Sequence, residues 1–166
     1  MWSGVIGLTQ EIKRCKEAGA TRAAIAMAFI CIDTMAFLSL PEGKEKQGKT
    51  DFITWVDKYL KGVPEQSYQY RGLDVYGARC AVLHAFSSEV DFHQTYPEAK
   101  IFGYHDGGRH ALDTQVSERL VIIGAVSFLD DVMRAVCTFI EACKTDLDLR
   151  KRVESRSSRV LETFPF

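Results

Sequence analysis

The hydrophobic positions of this chain recur mostly at steps of three and four, the period of a helix buried along one side. Residues 8–18 form a short amphipathic segment that ends at Gly19. A longer one covers 21–40 and is stopped by Pro41 and Gly43, and the charged stretch GKEKQGK that follows reads as a loop. Thr50 and Asp51 suit the start of a third helix reaching Lys61, with Phe52, Val56, Tyr59 and Leu60 as its apolar stripe and Gly62 and Pro64 as its stop. A fourth helix spans 69–86.

The clearest helical period lies within 114–144. There Ile122, Val126, Leu129, Met133, Val136, Ile140 and Cys143 alternate steps of four and three, and Val121, Ala125, Phe128, Val132 and Phe139 widen the same face. Ser127, Asp131, Arg134, Thr138 and Glu141 fill the opposite face. A last helix over 146–162 is basic and polar. Between 88 and 113 the helical period is lost. Ile101–His105 has strand character and Asp106-Gly107 suits a hairpin turn, so a small hairpin and an irregular loop both fit. The expected architecture is all-α: an up-and-down bundle of five to six helices, with room for one small β-hairpin insert around residues 100–112.

Composition changes this picture little. A chain of 166 residues with 46% hydrophobic and 26% charged residues suits one domain, 1–166, with a real core. The net charge of -1 gives no case for a dedicated nucleic-acid binder, though it leaves room for a local basic patch. Cys15, Cys31, Cys80, Cys137 and Cys143 make an odd set with no CxxC pair, as expected of reduced core thiols in a cytoplasmic protein. The most apolar run, 23–32, is shorter than the roughly 18 residues of a membrane span. No basic and apolar leader opens the chain, so neither a membrane association nor a signal peptide is expected.

One stretch breaks its own pattern. YGARCAVLHAF, residues 76–86, reads as a buried helix yet carries Arg79 and His84. At about 100° per residue these two lie about 140° apart, so they serve one site only if the helix ends near His84 or if two copies share the site. Ser87-Ser88 suggests such an end. Gly77, Ala81, His84 and Ala85 form a strip of mostly small residues suited to a tight helix contact, within the chain or across a dimer. Asp33 lies on the stripe Arg22, Ala26, Phe29, Asp33, Phe37 and Leu40. A carboxylate among apolar neighbours needs a cation or several donors, and Arg79 is the natural partner, with Asp74 as another neighbour for the arginine.

Arg79-Cys80-Ala81-Val82-Leu83-His84 resembles the R-x4-6-H signature of the HEPN superfamily, small helical bundles that include many ribonucleases. The surrounding GLDVYGARCAVLHAFS is similar to small bacterial HEPN-like proteins. The resemblance implies a homodimer, cofactor-free and metal-independent cleavage of single-stranded RNA by its own ribose 2′-hydroxyl, and a toxin or defence setting with an antitoxin or other protein partner. Arg79 would then hold the scissile phosphate. His84 would serve as general base or acid, because an imidazole titrates near neutral pH. Active members carry a polar residue after the arginine, where this chain has Cys80. That departure favours the alternative the family also offers, a non-catalytic module binding nucleotides, RNA or proteins.

Other residues carry weaker signals. Arg152, Arg156 and Arg159 share one helical face that suits phosphate contacts, but Asp146, Asp148 and Glu154 dilute it, so a solvated charged face is the first reading. Lys44, Lys46 and Lys49 form a second mild patch. Tyr76, with Tyr68 and Tyr70 nearby, suits base stacking, although at helical spacing packing is the better default for Tyr76. His105 and His110 would pair around a metal only if they flanked a hairpin, and with His93 they match no zinc spacing, so no metal is expected.

Overall fold

Helix α2, Thr21–Leu38, is the central element. Ala24, Ala28, Phe29, Ile32, Met35 and Ala36 are fully buried on it, so it is apolar on more than one side. It is long and apolar enough to cross a membrane by length and composition, but here it forms the core helix around which the others pack. The structure, a computed structural model, describes residues 2–62, 68–108, 110–112 and 117–161.

Helix α1, Ser3–Glu17, packs along α2 after the left-handed turn at Gly19. Helix α3, Lys49–Trp55, runs straight into a π-helical turn, Val56–Leu60, and α4, Gly72–Cys80, does the same at Ala81–Ala85. A five-residue helix α5, Asp91–Thr95, precedes strand β1, Ile101–His105. Strands β2, Ala111–Leu112, and β3, Leu120–Gly124, lead into α6, Ala125–Thr145, and α7, Leu147–Ser157. The described residues thus hold seven α-helices and one small sheet. The mostly helical expectation stands, but α5 is a short helix within 88–113, where a hairpin or loop was expected, and two larger details change.

The first change is the sheet. β1 pairs in parallel with β3, Phe102 opposite Val121, and β2 pairs antiparallel with β3 from its other side. No hairpin joins β1 to β2. Gly107 N–H turns back onto His105 Nδ1 at 2.9 Å, and the chain then crosses to the far edge of β3. The second change is the start of α6. The run Leu120-Val121-Ile122-Ile123 continues the helical stripe on paper but is rich in β-branched residues, and with Val121 and Ile123 buried and Leu120 and Ile122 half-buried it forms a strand instead. The expected helix over 114–144 therefore begins only at Ala125.

The buried face of α6 is centred on Phe128, Val132, Ala135 and Phe139, rotated from the expected stripe, so Val126 is exposed and Asp131 is buried. Asp131 is held there by Arg134 at 2.7 Å, and Arg134 also reaches Tyr68 Oη at 3.2 Å. The rings of Trp55, Tyr59 and Phe139 close the core at one end, and Phe29 meets Phe128 in its middle.

Candidate functional site

The end of α4 is where local structure bends to place side chains. A π-turn closes i→i+5 hydrogen bonds, so a residue stacks along the axis over the one five positions on. Ala81–Ala85 adopts this geometry, and the angular gap between Arg79 and His84 closes: Arg79 Nη1 lies 3.0 Å from His84 Nε2. Both residues come from one chain, so the pair forms without a second copy. A guanidinium has donors only, which makes His84 Nε2 the acceptor and leaves the imidazole proton on Nδ1.

The helix then stops at Phe86, whose φ of 48° and ψ of 42° are left-handed. Glycine usually fills such a position because a Cβ strains it. Phe86 occupies it while 63% exposed, so no burial of its ring compensates.

Asp33 on α2 accepts from Arg79 Nε at 2.7 Å and from Gln47 Nε2 at 3.1 Å. The chain of contacts Gln47–Asp33–Arg79–His84 fixes the guanidinium in one plane. Each side chain of the ion pair keeps about one-fifth of its surface, 21% for both Arg79 and Asp33. Burial pushes the Asp33 carboxyl above its ordinary range, and Arg79 and Gln47 pull it only part of the way back. Burial works against the Arg79 cation too, but Asp33 more than offsets it and the net shift is upward, so Arg79 stays charged. Burial, then Cys80, raises the Tyr76 hydroxyl.

Arg79, Asp33 and Tyr76 open onto a cleft of about 1060 Å³ between α1 and α2. Ile6, Met27, Ile30 and Phe37 give it an apolar wall, and Arg159 and Leu161 border it. Among the described residues Arg79 Nη2 has no protein partner, so one edge of the guanidinium remains available to a ligand.

The other sequence candidates fall elsewhere. Gly77 and Ala81 are buried within the chain, and a Cβ on Gly77 would sit 2.9 Å from His93 Nε2 and the Phe92 ring. The tight helix contact expected of this strip is therefore made by α5 within the chain, and His84, turned away by the π-turn, stands exposed. Asp74 does not serve Arg79: fully buried, it accepts from the Arg71 and Lys100 amides at 2.7 and 2.8 Å, starting α4 and anchoring β1. Arg156 is no free phosphate contact. It is buried and donates to the carbonyls of Pro41 and Lys44 at 2.8 and 3.1 Å, clipping the loop after α2 to α7.

Arg152 and Arg159 share a shallow groove with Glu42, Glu45 and Asp148, and Arg159 pairs with Glu45 at 3.1 Å while covering the Phe37 ring. Lys44 pairs with Asp51 and Lys49 caps the Tyr96 ring. Tyr68 packs on Tyr70, which also meets Phe102 and His110, and of the three tyrosines only Tyr76 borders the cleft.

His105 and His110 do not flank a hairpin. His110 Nδ1 accepts from Gly124 N–H at 3.3 Å and its Nε2 faces Asp131 at 3.7 Å. Among the described residues no three His, Cys, Asp or Glu side chains converge as a ligand set. All five cysteines are free, and burial raises the thiols of Cys31 and Cys143 to about 12 and about 11. Gln47 is the site residue that sequence reasoning missed, because a glutamine in a charged loop carries no periodic signal.

The fold and the cleft define a mainly helical domain with an Arg–His–Asp centre at its surface. Comparison with known protein families, with curated proteins and with solved structures finds no match for this chain.

Proposed function

We propose that this protein is a metal-independent endoribonuclease of HEPN-like type, with Arg79 and His84 at its centre. The observation that carries the reading is the 3.0 Å approach of Arg79 Nη1 to His84 Nε2 across the π-turn. It sets a permanent cation beside a titratable imidazole at the surface, the two groups that phosphodiester transfer needs. Arg79 binds a non-bridging phosphate oxygen through its free edge and stabilises the charge that grows there. The ribose 2′-oxygen attacks phosphorus, the P–O5′ bond breaks, and the products are a 2′,3′-cyclic phosphate and a 5′-hydroxyl. One proton leaves the 2′-hydroxyl and one is delivered to O5′. As the guanidinium turns its free edge to the phosphate, the contact between Nη1 and His84 Nε2 opens, and Nε2 takes the first proton. A second copy's His84, entering as the imidazolium, delivers the other, in a homodimer meeting at the exposed end of α4; one histidine ends protonated and the other neutral, so the two exchange protonation states over the step.

The test is cleavage of labelled single-stranded RNA in excess EDTA by wild type, Arg79→Lys and His84→Gln, each checked by thermal melt. Cutting by wild type with loss of at least about a hundredfold in both folded variants is expected, the usual weight of one acid–base or charge-stabilising group. A wild type that leaves every RNA intact refutes the proposal.

A second reading has its own observation. The Asp33–Arg79 pair at 2.7 Å, with Cys80 where active relatives carry a polar residue, suits a non-catalytic HEPN-like module in which Arg79 is a structural cation. Retained RNA or nucleotide binding without cleavage is its signature.

A further inference from the structure

The polar end of the α1–α2 cleft has an excess of hydrogen-bond acceptors. Gln47 spends its amide nitrogen on Asp33 Oδ1, which fixes the side chain and leaves Oε1 as an acceptor. Each Asp33 oxygen takes one donor from the protein and retains further acceptor capacity. Thr34 Oγ1 gives its proton to the Ile30 carbonyl at 2.9 Å and so also presents lone pairs. Asp33, Gln47 and Thr34 all line the cleft beside Arg79. Beyond them the wall is apolar, suited to a flat ring rather than to a second phosphate.

We infer that this cleft binds a guanine base next to the phosphate held by Arg79, with Asp33 and Gln47 as the groups that read it. The inference rests on the reading of Arg79 as a phosphate-binding residue. Two neighbouring acceptors select a base with two neighbouring donors on its Watson–Crick edge. Guanine has them in N1–H and the N2 amine. Adenine and cytosine set a ring acceptor beside a single amine, and uracil sets N3–H between two carbonyls, so each would leave a lone pair facing the carboxylate. A buried polar group left unpaired in this way discriminates strongly. RNA bases are read on this edge only where they are unstacked, so the substrate is single-stranded.

The experiment separates base reading from cleavage. Heptauridines with 2′-O-methyl sugars, which lack the attacking hydroxyl, carry a central guanosine, inosine, adenosine or uridine, and their binding is followed by fluorescence anisotropy. Guanosine is expected to bind about tenfold tighter than inosine, which lacks the N2 amine, the worth of one charge-assisted hydrogen bond. Adenosine and uridine bind more weakly still. Gln47→Ala, and Gln47→Met if alanine disturbs the loop, is expected to lower the guanosine preference by about tenfold with little change in melting temperature. Equal binding of all four oligomers, while wild type still cuts RNA through His84, overturns the base site and leaves the ribonuclease reading standing. A guanosine preference that Gln47 variants retain also overturns it. A preference lost in those variants, in a protein that cuts nothing, supports the base site and refutes the ribonuclease.

Discussion

Replacing Asp33 by alanine tests whether the pair at the centre of the site is electrostatic or merely adjacent. The substitution strips an acceptor from Arg79 Nε and from Gln47 Nε2 at once. Breaking a fully buried pair costs about 3–5 kcal/mol, because the surviving charge is left without a partner. An exposed pair is worth about 0–1 kcal/mol. With 21% of each side chain exposed, the loss lies between these limits but nearer the buried one, at about 2–3 kcal/mol. A chain of this size shifts by about 2–4 °C per kcal/mol, so Asp33→Ala should melt about 5–10 °C lower. Removing Arg79 as well takes away the orphaned cation. The Asp33→Ala/Arg79→Ala double variant should then be no less stable than Asp33→Ala alone, a coupling of about 2 kcal/mol.

The pH dependence gives an independent sign. Burial raises the Asp33 carboxyl in the folded chain, so the folded state holds this proton more tightly than the unfolded state. The stability it brings is complete below the ordinary aspartate range. It is lost as pH climbs from that range through the raised value. Asp33→Asn has no such titration, so wild type should lose stability relative to it across that acidic window. Urea denaturation of wild type, Asp33→Ala, Arg79→Ala, the double variant and Asp33→Asn at several pH values reads both effects. Additive losses in the double variant, or a wild-type advantage that grows as pH rises through the window, would refute the argument.

Two further substitutions test the frame of the site. Gly77→Ala places a methyl 2.9 Å from His93 Nε2 and the Phe92 ring and should cost about 1–3 kcal/mol by calorimetry, as overpacking does; an unchanged melt would mean α5 is not seated there. Phe86→Gly relieves a left-handed residue whose ring is exposed and should stabilise the chain by about 1 kcal/mol in a thermal melt; a less stable variant would show that the ring has a packing role.

The helices were legible wherever one face meets the core, since a stripe such as Phe52, Val56 and Leu60 has a single period. They were misread where one apolar run fits two periods. Leu120–Gly124 satisfies both a helical stripe and a buried strand, and only the partners on β1 and β2 decide between them. The orientation of α6 was misread for a related reason: Asp131 is polar but buried with Arg134, and its neighbours Ser127, Arg134 and Thr138 drew it onto the polar face. At the site, the need of Asp33 for a cation followed from its apolar stripe, and Arg79 fills it. The approach of Arg79 to His84 did not follow, because ideal helical angles hold them apart and no residue in Ala81–Ala85 signals a π-turn. Gln47 was invisible, since it acts through a contact 14 positions away.

Besides the buried π-turn at Val56–Leu60, two departures from local rules lie together on one short segment. A π-turn gives up ordinary helix geometry, a phenylalanine takes a glycine's conformation, and both occur within seven residues of Arg79. A segment selected for packing alone would relieve each at small expense, by a glycine at the cap or by one residue fewer in the turn. Strain that persists at an exposed position needs a use outside the core, and sites of chemistry are where such strain collects. What the strain produces here is the Arg79–His84 contact, which an unbroken α-helix cannot make. The functional reading therefore rests less on the identity of the two side chains than on the backbone distortion that brings them together.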